Sequence, residues 1–266
     1  EIPTNPHTSS YVGGIFLAMS RQKRQVEHDA GVVKLVYTPD LKSGGFGRDG
    51  STPSSGTIFN PPGPVPHMTS KTLLSARDLA VARGGRELLR NVHFSVRAGE
   101  AVHLTGANGS GKTSLLETLA GLRPPAAGDI SIDSDSKPLW VGHRNGMSLA
   151  LSVEANLEAW CGLHRLSPEA IPDALRTMGL FKLRRRAVRT LSAGQRRRAA
   201  LSALLLGGAP VWLLDEPLAA LDSSSVPLVA ALIERHLLTG GAVLLTTHQP
   251  MPGPAMREMA VTAWAA

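Results

Sequence analysis

The segment "GANGSGKT", residues 106–113, constrains the fold of this chain more than any other feature of the sequence. It fits the pattern G-x-x-x-x-G-K-[ST], in which glycines let the backbone wrap a phosphate with its N–H groups pointing inward. The segment follows "AVHLT", an apolar run of strand length, and it opens "KTSLLETLAGL", which predicts a helix over residues 112–122. A strand, a phosphate loop and a helix in this order predict an α/β fold built on a parallel sheet.

The polar side chains of this loop predict which ligand it holds. We expect Lys112 to reach the β- and γ-phosphates of a nucleotide and the Thr113 hydroxyl to bind Mg²⁺. The loop therefore predicts that ATP and Mg²⁺ are the cofactors. The predicted nucleotide-binding residues are Gly106, Ala107, Asn108, Gly109, Ser110, Gly111, Lys112, Thr113 and Ser114.

Two later apolar runs of strand length end in side chains suited to phosphate chemistry. The run "VWLLDEP" ends in Asp215 and Glu216, and "AVLLTTH" ends in His248. We expect Asp215 to support Mg²⁺ together with Thr113, and Glu216 to orient or deprotonate the attacking water. His248 is placed to donate a hydrogen bond to the γ-phosphate as charge develops. The predicted catalytic residues are Glu216, His248 and Lys112.

A second stretch, "LSAGQ" at residues 191–195, also suits an anion. It pairs the small hydroxyl of Ser192 with Gly194 just before a predicted helix, so that backbone N–H groups stay open. One chain therefore carries two predicted phosphate cradles, and no internal repeat of the "GANGSGKT" motif accounts for the second.

Composition limits the partners without selecting one. The chain has 28 Lys+Arg against 21 Asp+Glu, a basic balance that allows nucleic acid or an anionic membrane face. We expect the arginines of residues 184–189 to lie near anionic lipid or in water. Those of residues 196–198 either add positive potential near the second cradle or form a solvated face. Cys161 is the only cysteine, which excludes an intrachain disulfide and a cysteine-based zinc site.

The first 67 residues differ in character from the rest. They are rich in Pro, Gly and Ser and keep no helical or strand period for long. We expect residues 1–67 to be a disordered extension, or upstream sequence translated from a wrongly assigned start before Met68. Residues 68–266 form the predicted ATP-binding domain. The apolar spacing between about Trp140 and Ala209 is mostly helical, so a helical subdomain is predicted at about 143–205.

The order "GANGSGKT", "LSAGQ", "VWLLDEP", "ALD" and "TTH" resembles that of the ATP-binding cassette (ABC) ATPases over nearly all of residues 68–266. The resemblance implies a P-loop NTPase with a RecA-like α/β core, an antiparallel β part and a helical signature subdomain. It also implies a head-to-tail homodimer, in which the signature loop of one subunit binds the ATP of the other and Asp222 lies at the subunit boundary. The implied signature-loop residues are Leu191, Ser192, Ala193, Gly194 and Gln195.

Two positions depart from this family's pattern. Arg83 stands where an aromatic residue usually stacks on adenine; a guanidinium can also stack on a base, but a surface arginine is an equal alternative. The glutamine before the helical subdomain is missing, and His143 has the matching spacing. A histidine there is able to hydrogen-bond the same water, so we predict this role for His143.

Within the family, "LWVGHRNG" and "LLTTHQP" resemble the ATP-binding subunits of cytochrome c maturation exporters. That branch typically reads Gly-His-Gln-Pro-Gly where this chain reads Gly-His-Arg-Asn-Gly. The resemblance implies a peripheral protein at the cytoplasmic face of the bacterial inner membrane, with integral membrane subunits as partners. The alternatives are the ATPase subunit of another ABC transporter, or a soluble ABC ATPase that acts on nucleic acid or ribosomes. The latter proteins typically carry two cassettes or extra modules, so we expect no nucleic-acid partner.

Overall fold

A computed structural model describes residues 71–133 and 137–266 of the chain. The expectation for residues 1–67, and the predicted boundary at Met68, lie outside the described residues. In chain order the strands are β1 Thr72–Arg83, β2 Arg86–Arg97, β3 Ala101–Thr105, β4 Ala127–Ile132, β5 Leu139–Val141, β6 Val211–Asp215, β7 Ala242–Thr246 and β8 Arg257–Ala260. The helices are α1 Lys112–Leu119, α2 Val153–His164, α3 Ile171–Thr177, α4 Ala193–Leu201 and α5 Val226–Leu238.

The central sheet is parallel and has the strand order β5-β6-β7-β3-β8. Every residue of β6 and β7 is buried, which fits their unbroken apolar sequences and a sheet that is covered on both faces. Because the strands are parallel, their carboxyl ends lie at one edge. The loops after β3, β6 and β7, which carry the predicted site residues, therefore meet at that edge.

A second, antiparallel sheet covers one face of the parallel sheet. Its strand order is β2-β1-β4, and the β1–β2 hairpin turns through Gly84 and Gly85, both with positive φ. Buried residues of this sheet pack with those of β3, β6 and β7 and with Leu115 and Leu116 of α1 in one hydrophobic core. The antiparallel part implied by the family resemblance is present.

The other face of the parallel sheet is covered by helices. A second hydrophobic core joins β6 and β7 to α5 and to the helical segment that runs from α2 to α4. Short 3₁₀ turns separate these helices, and the Ser152 hydroxyl caps α2 by accepting from Ala155 N at 3.1 Å. The described part of the chain contains no helix long and apolar enough to cross a bilayer.

Local structure differs from the sequence prediction in three places. Helix α1 ends at Leu119 and not at residue 122, since Gly121 adopts a left-handed conformation with φ 72° that closes the helix. Strand β7 ends at Thr246, which leaves His248 in a turn. Strand β5 was not predicted because three residues are too few to show a period.

The edge of the sheet at which the strands begin carries an aromatic pair. The rings of Trp212 and His236 stack with centroids 3.8 Å apart and planes 7° apart. Gly241 allows this stack, since a Cβ at that position would lie 2.2 Å from His236 Nε2. Burial lowers the pKa of His236 below its ordinary value, and the nearby backbone groups of Pro210 and Ala242 oppose the shift.

Candidate functional site

The loop between β3 and α1 has the backbone conformation that a phosphate cradle requires. Gly106 adopts φ 144°, and a Cβ there would lie 2.8 Å from both Ser110 Oγ and Val261 Cγ2. Gly111 precedes α1 with φ 100° and provides no side-chain cap, so the first N–H groups of the helix keep no intrahelical partner. The loop therefore presents free donors at a helix N-terminus, as anion binding needs.

Polar side chains of the loop are held in place from several directions. Lys112 Nζ donates to Gly106 O at 2.7 Å and to Ala107 O at 2.9 Å, so its charge lies over the loop. Ser110 Oγ is buried and has no hydrogen-bond partner among the described residues. An unpartnered hydroxyl inside a loop of this shape fits a site whose hydrogen bonds are completed by a ligand.

Asp215, the last residue of β6, bonds to helix α1 and to the end of strand β7. Its Oδ2 accepts from Thr113 Oγ1 at 2.9 Å, and its Oδ1 accepts from the buried Thr246 Oγ1 at 2.7 Å. Thr246 Oγ1 in turn accepts from Glu216 N at 3.0 Å. This chain of bonds brings Thr113, Asp215 and Glu216 together. Carboxylate and hydroxyl oxygens are hard ligands that fit Mg²⁺.

Glu216 and His248 face each other beside the loop. His248 Nε2 lies 3.4 Å from Glu216 Oε1 and 3.1 Å from Asn108 Oδ1, and His248 N donates to Glu216 Oε2 at 3.3 Å. Glu216 has φ 51°, a left-handed conformation that costs a non-glycine residue about 1–3 kcal/mol. Residues held in such conformations cluster at functional sites, and here the carboxylate lies against His248, which in turn contacts Asn108 of the phosphate loop.

The stretch "LSAGQ" is structured by its own residues. Ser192 Oγ accepts from Gln195 N at 3.2 Å, and Gln195 Oε1 accepts from Ser192 N at 3.0 Å, a reciprocal capping box at the start of α4. Leu191 is buried, whereas Ser192 and Ala193 are exposed. Among the described residues, no hydrogen bond or ion pair joins this stretch to the loop of residues 106–113, so the two predicted cradles are separate.

Asp222 lies in an exposed turn before α5. Its Oδ1 accepts from Ser224 Oγ at 2.9 Å and from Ser225 N at 2.8 Å, and hydrogen bonds from Ser225 and Ser224 lower the pKa of its carboxyl. The same turn approaches the second cradle: a Cβ at Gly194 would lie 2.8 Å from Ala220 O. Ala220 lies two residues before Asp222 in the chain.

The two residues at which this chain departs from the family's pattern, Arg83 and His143, are not part of the hydrogen-bonded network of the site. Arg83 is exposed at the end of β1, and His143 is exposed in the loop after β5. Within residues 71–133 and 137–266, neither makes a side-chain hydrogen bond or an ion pair. Their roles toward adenine and water stay predictions.

Sequence reasoning missed Arg197 and was wrong about its surroundings. The solvated face that was one of the two alternatives is wrong for Arg197, which is 2% exposed and donates to Asp215 O, Glu216 O and Pro217 O; the positive potential near the second cradle stays a prediction. A signal was available, because residues 197, 201 and 204 follow helical spacing and the last two are leucines. Thr246 was also missed, as nothing in its sequence context separates it from a strand residue.

Comparison with known proteins agrees with this geometry. The sequence matches the ABC transporter family over residues 89–219. The cytochrome c biogenesis ATP-binding export protein CcmA of Rhodobacter capsulatus is 46% identical over 177 residues, which cover 66% of this chain and 81% of the relative. CcmA of Xanthomonas axonopodis pv. citri is 42% identical over 206 residues, 74% of this chain and 96% of the relative. A solved ABC transporter ATP-binding protein from Pyrococcus furiosus superposes with a TM-score of 0.63 at 26% identity, covering 73% and 99% of the two chains.

The fold is that of an ABC-type ATPase, with a phosphate-binding loop after β3 and a separate stretch, "LSAGQ", at the start of α4. The similarity to the CcmA relatives extends over most of their length at identities above 40%, so it identifies one family within the ABC ATPases. The chain belongs to the family of cytochrome c biogenesis ATP-binding export proteins, CcmA.

Proposed function

We propose that this chain hydrolyses ATP as a homodimeric subunit of an exporter for c-type cytochrome biogenesis. It would lie at the cytoplasmic face of the bacterial inner membrane and act on integral membrane subunits. The observation that carries the proposal is the coexistence of an assembled phosphate loop and a separate, exposed signature loop in a chain 46% identical to a CcmA protein.

The catalytic steps follow from the positions of the side chains. The loop amides and Lys112 bind the phosphates of ATP. Glu216 accepts a proton from water, or orients it, for in-line attack on the γ-phosphate. His248, whose Nε2 lies beside Glu216 Oε1 and Asn108 Oδ1, would donate a hydrogen bond toward the developing charge. The products are ADP and phosphate.

Mg²⁺ fits the oxygens at the centre of this site. Thr113 Oγ1 and Asp215 Oδ2 are the atoms that would support it. Within the described residues, no group of three or more His, Cys, Asp or Glu is placed to bind a metal ion by itself. That donor set suits a cation that enters on the phosphates. When bound, Mg²⁺ supplies charge neutralisation at the phosphate oxygens.

The second subunit completes each site. An anion cradle is formed by Ser192, Gly194 and the N-terminus of α4. In a symmetric dimer, each of the two cradles meets a phosphate of the ATP that the other subunit binds. Closure of the pair on ATP and its opening after hydrolysis would move the helical segment of about residues 143–205, where membrane subunits would dock.

The test uses Glu216→Gln, which keeps the shape of the side chain but removes the base. We expect this variant to bind ATP, to lose turnover and to form a dimer that light scattering detects only with ATP. Captured with ATP from gently solubilised membranes, it should co-purify with integral membrane proteins of cytochrome c biogenesis. Unchanged ATPase activity would remove Glu216 from its role. Recovery of other permeases would assign a different transporter, and recovery of ribosomal proteins or nucleic acid would favour the soluble ATPase.

A further inference from the structure

Arg197, in the first turns of α4, is a buried cation whose five N–H groups meet five oxygen acceptors. Nε donates to Pro217 O at 3.2 Å, and Nη2 donates to Asp215 O and Glu216 O at 2.8 Å each. Nη1 donates to Gly142 O at 2.7 Å and to Asn145 Oδ1 at 3.0 Å. The guanidinium thus bonds to two segments of the chain outside its own helix.

Burial of the charged Arg197 side chain costs free energy of solvation. Desolvation lowers the pKa of Arg197 to about 10, while the charges of Asp215 and Glu216 oppose the shift, so the side chain stays protonated at neutral pH. No carboxylate among the described residues lies within ion-pair distance of it. A buried charge is poor evidence for stability, because apolar residues of similar volume often serve as well. The burial of Arg197 is therefore better explained by its planar guanidinium, whose N–H groups donate hydrogen bonds in fixed directions.

Three consecutive carbonyls of the turn after β6 accept from this fork. That turn carries Glu216 in its left-handed conformation, which persists only where surrounding contacts hold it. The carboxylate of Glu216 has one close partner residue, His248, which is 60% exposed. The backbone direction of Glu216 is therefore fixed from behind by Arg197 and Thr246 more than by contacts of its own side chain.

We propose that Arg197 is a positioning residue that sets the orientation of Glu216 and links it to the signature loop on the same helix. This rests on the proposed function, in which Ser192 and Gly194 bind the ATP of the partner subunit. Arg197 lies five residues after Ser192, about 7 Å along the helix axis. A shift of α4 on binding the partner's phosphate moves the guanidinium, and with it the carbonyls of residues 215–217. Hydrolysis at one site thus senses occupancy of the other.

The loop after β5 is hydrogen-bonded to the same guanidinium of Arg197. Gly142 O and the side chain of Asn145 accept from Nη1, so residues 142–145 follow α4 and the turn of Glu216 together. From the sequence, His143 in this loop was predicted to hydrogen-bond the water of the site, but its side chain is exposed. In the structure Asn145, two residues later, is the side chain that connects the loop to the catalytic edge.

The experiment compares Arg197→Lys with Arg198→Lys in the full chain. Lysine keeps the charge but loses the fork. Arg198 is a matched control on the same helix, because among the described residues its side chain makes one hydrogen bond, from Nη1 to Met178 O at 3.1 Å. We expect Arg197→Lys to lower kcat by about 10- to 100-fold, the effect of displacing a catalytic group by about 1 Å. Its ATP affinity should stay within about twofold of the parent, and the Hill coefficient for ATP should fall toward one. Arg198→Lys should keep all three values.

Two further measurements keep the proposal testable if the lysine variant folds poorly. Asn145→Ala leaves Arg197 in place and removes one acceptor, so kcat should fall by a few fold with a lower Hill coefficient. Guanidinium ion at millimolar concentration should restore part of the kcat of Arg197→Ala.

The proposal is overturned if Arg197→Lys and Asn145→Ala keep the parent kcat and Hill coefficient. If this occurs while the parent hydrolyses ATP and Glu216→Gln dimerises with ATP, the proposed function stands and only the role of Arg197 fails. A parent chain that neither hydrolyses ATP nor dimerises overturns both.

Discussion

The two cradles of this molecule are built in opposite ways. The phosphate loop depends on contacts between distant parts of the chain: Thr113 bonds to Asp215 and Asn108 to His248. The signature loop is organised by Ser192 and Gln195, three residues apart. A cradle assembled by the fold is held relative to the sheet, whereas a cradle prepared by its own helix moves only as that helix moves, and Arg197 bonds the helix to residues 215–217. This difference suits one site that holds ATP and another that closes on it.

The largest effect should come from the phosphate loop. Lys112→Ala removes the charge over the loop, so ATP binding and turnover should both be lost, with activity reduced by about 10³-fold or more. Titration calorimetry and a phosphate-release assay measure the two quantities. Lys112→Arg serves as the charge-preserving control, and full activity of Lys112→Ala would show that this loop is not the hydrolytic site.

Ser192→Asp tests the signature loop without removing its cap, because aspartate is also a good N-cap. The new negative charge opposes a partner's phosphate, so turnover should fall by about 10²-fold while ATP binding to the monomer stays unchanged. Ser167→Asp is the matched control, since Ser167 is an exposed N-cap elsewhere. Weakened binding in the monomer would contradict the separation of the two cradles.

Thr246→Val probes the dependence of the phosphate loop on distant contacts. The substitution leaves Asp215 Oδ1 without its buried donor, which should lower the free energy of unfolding by about 1–3 kcal/mol. Urea denaturation measures this change. Thr190→Val, which removes only an exposed bond to Ala187 O, should cost less. Equal losses in both variants would show that the buried bond adds nothing.

The smallest effect should arise at the opposite edge of the sheet, away from both cradles. The pKa of His236 is lowered in the folded state, so below its ordinary pKa the unfolded chain binds the proton first. The free energy of unfolding should therefore fall as pH drops through that window. His236→Phe should flatten this dependence, though not abolish it, because burial also lowers the pKa of His164.

Thermal melts of His236→Phe from pH 5 to 8 measure the change, and His93→Gln, which removes an exposed imidazole 3.0 Å from Asp78 Oδ1, is the comparison for a surface histidine. ATP binding should be the same in all three proteins. A steeper dependence in His236→Phe, or altered ATP binding, would contradict this assignment.

Much of this structure could be predicted from the sequence, for reasons that differ by region. The apolar runs "VWLLD" and "AVLLT" predicted buried strands, and parallel pairing then required Asp215, Glu216 and the end of β7 to meet. The capping box was open to prediction because all its atoms lie within four residues.

Contacts between distant segments left no such local pattern. Arg197 was hidden in a run of three arginines, whose shared chemistry gives no sign that one is buried. Asn145 likewise lacks a sequence signal, since its partner is 52 residues away. Strand β5 is defined by its pairing with β6 and not by a period of its own.

The close approach of Gly194 to Ala220 O changes how substitutions in the signature loop should be interpreted. Any side chain at residue 194 would displace Ala220 O, two residues before Asp222, before a nucleotide is present. Loss of activity in such a variant would combine an intramolecular clash with a lost ligand contact. The absence of a side chain here is thus required by the chain's own architecture, so glycine would be needed at this position even in a relative that had given up hydrolysis.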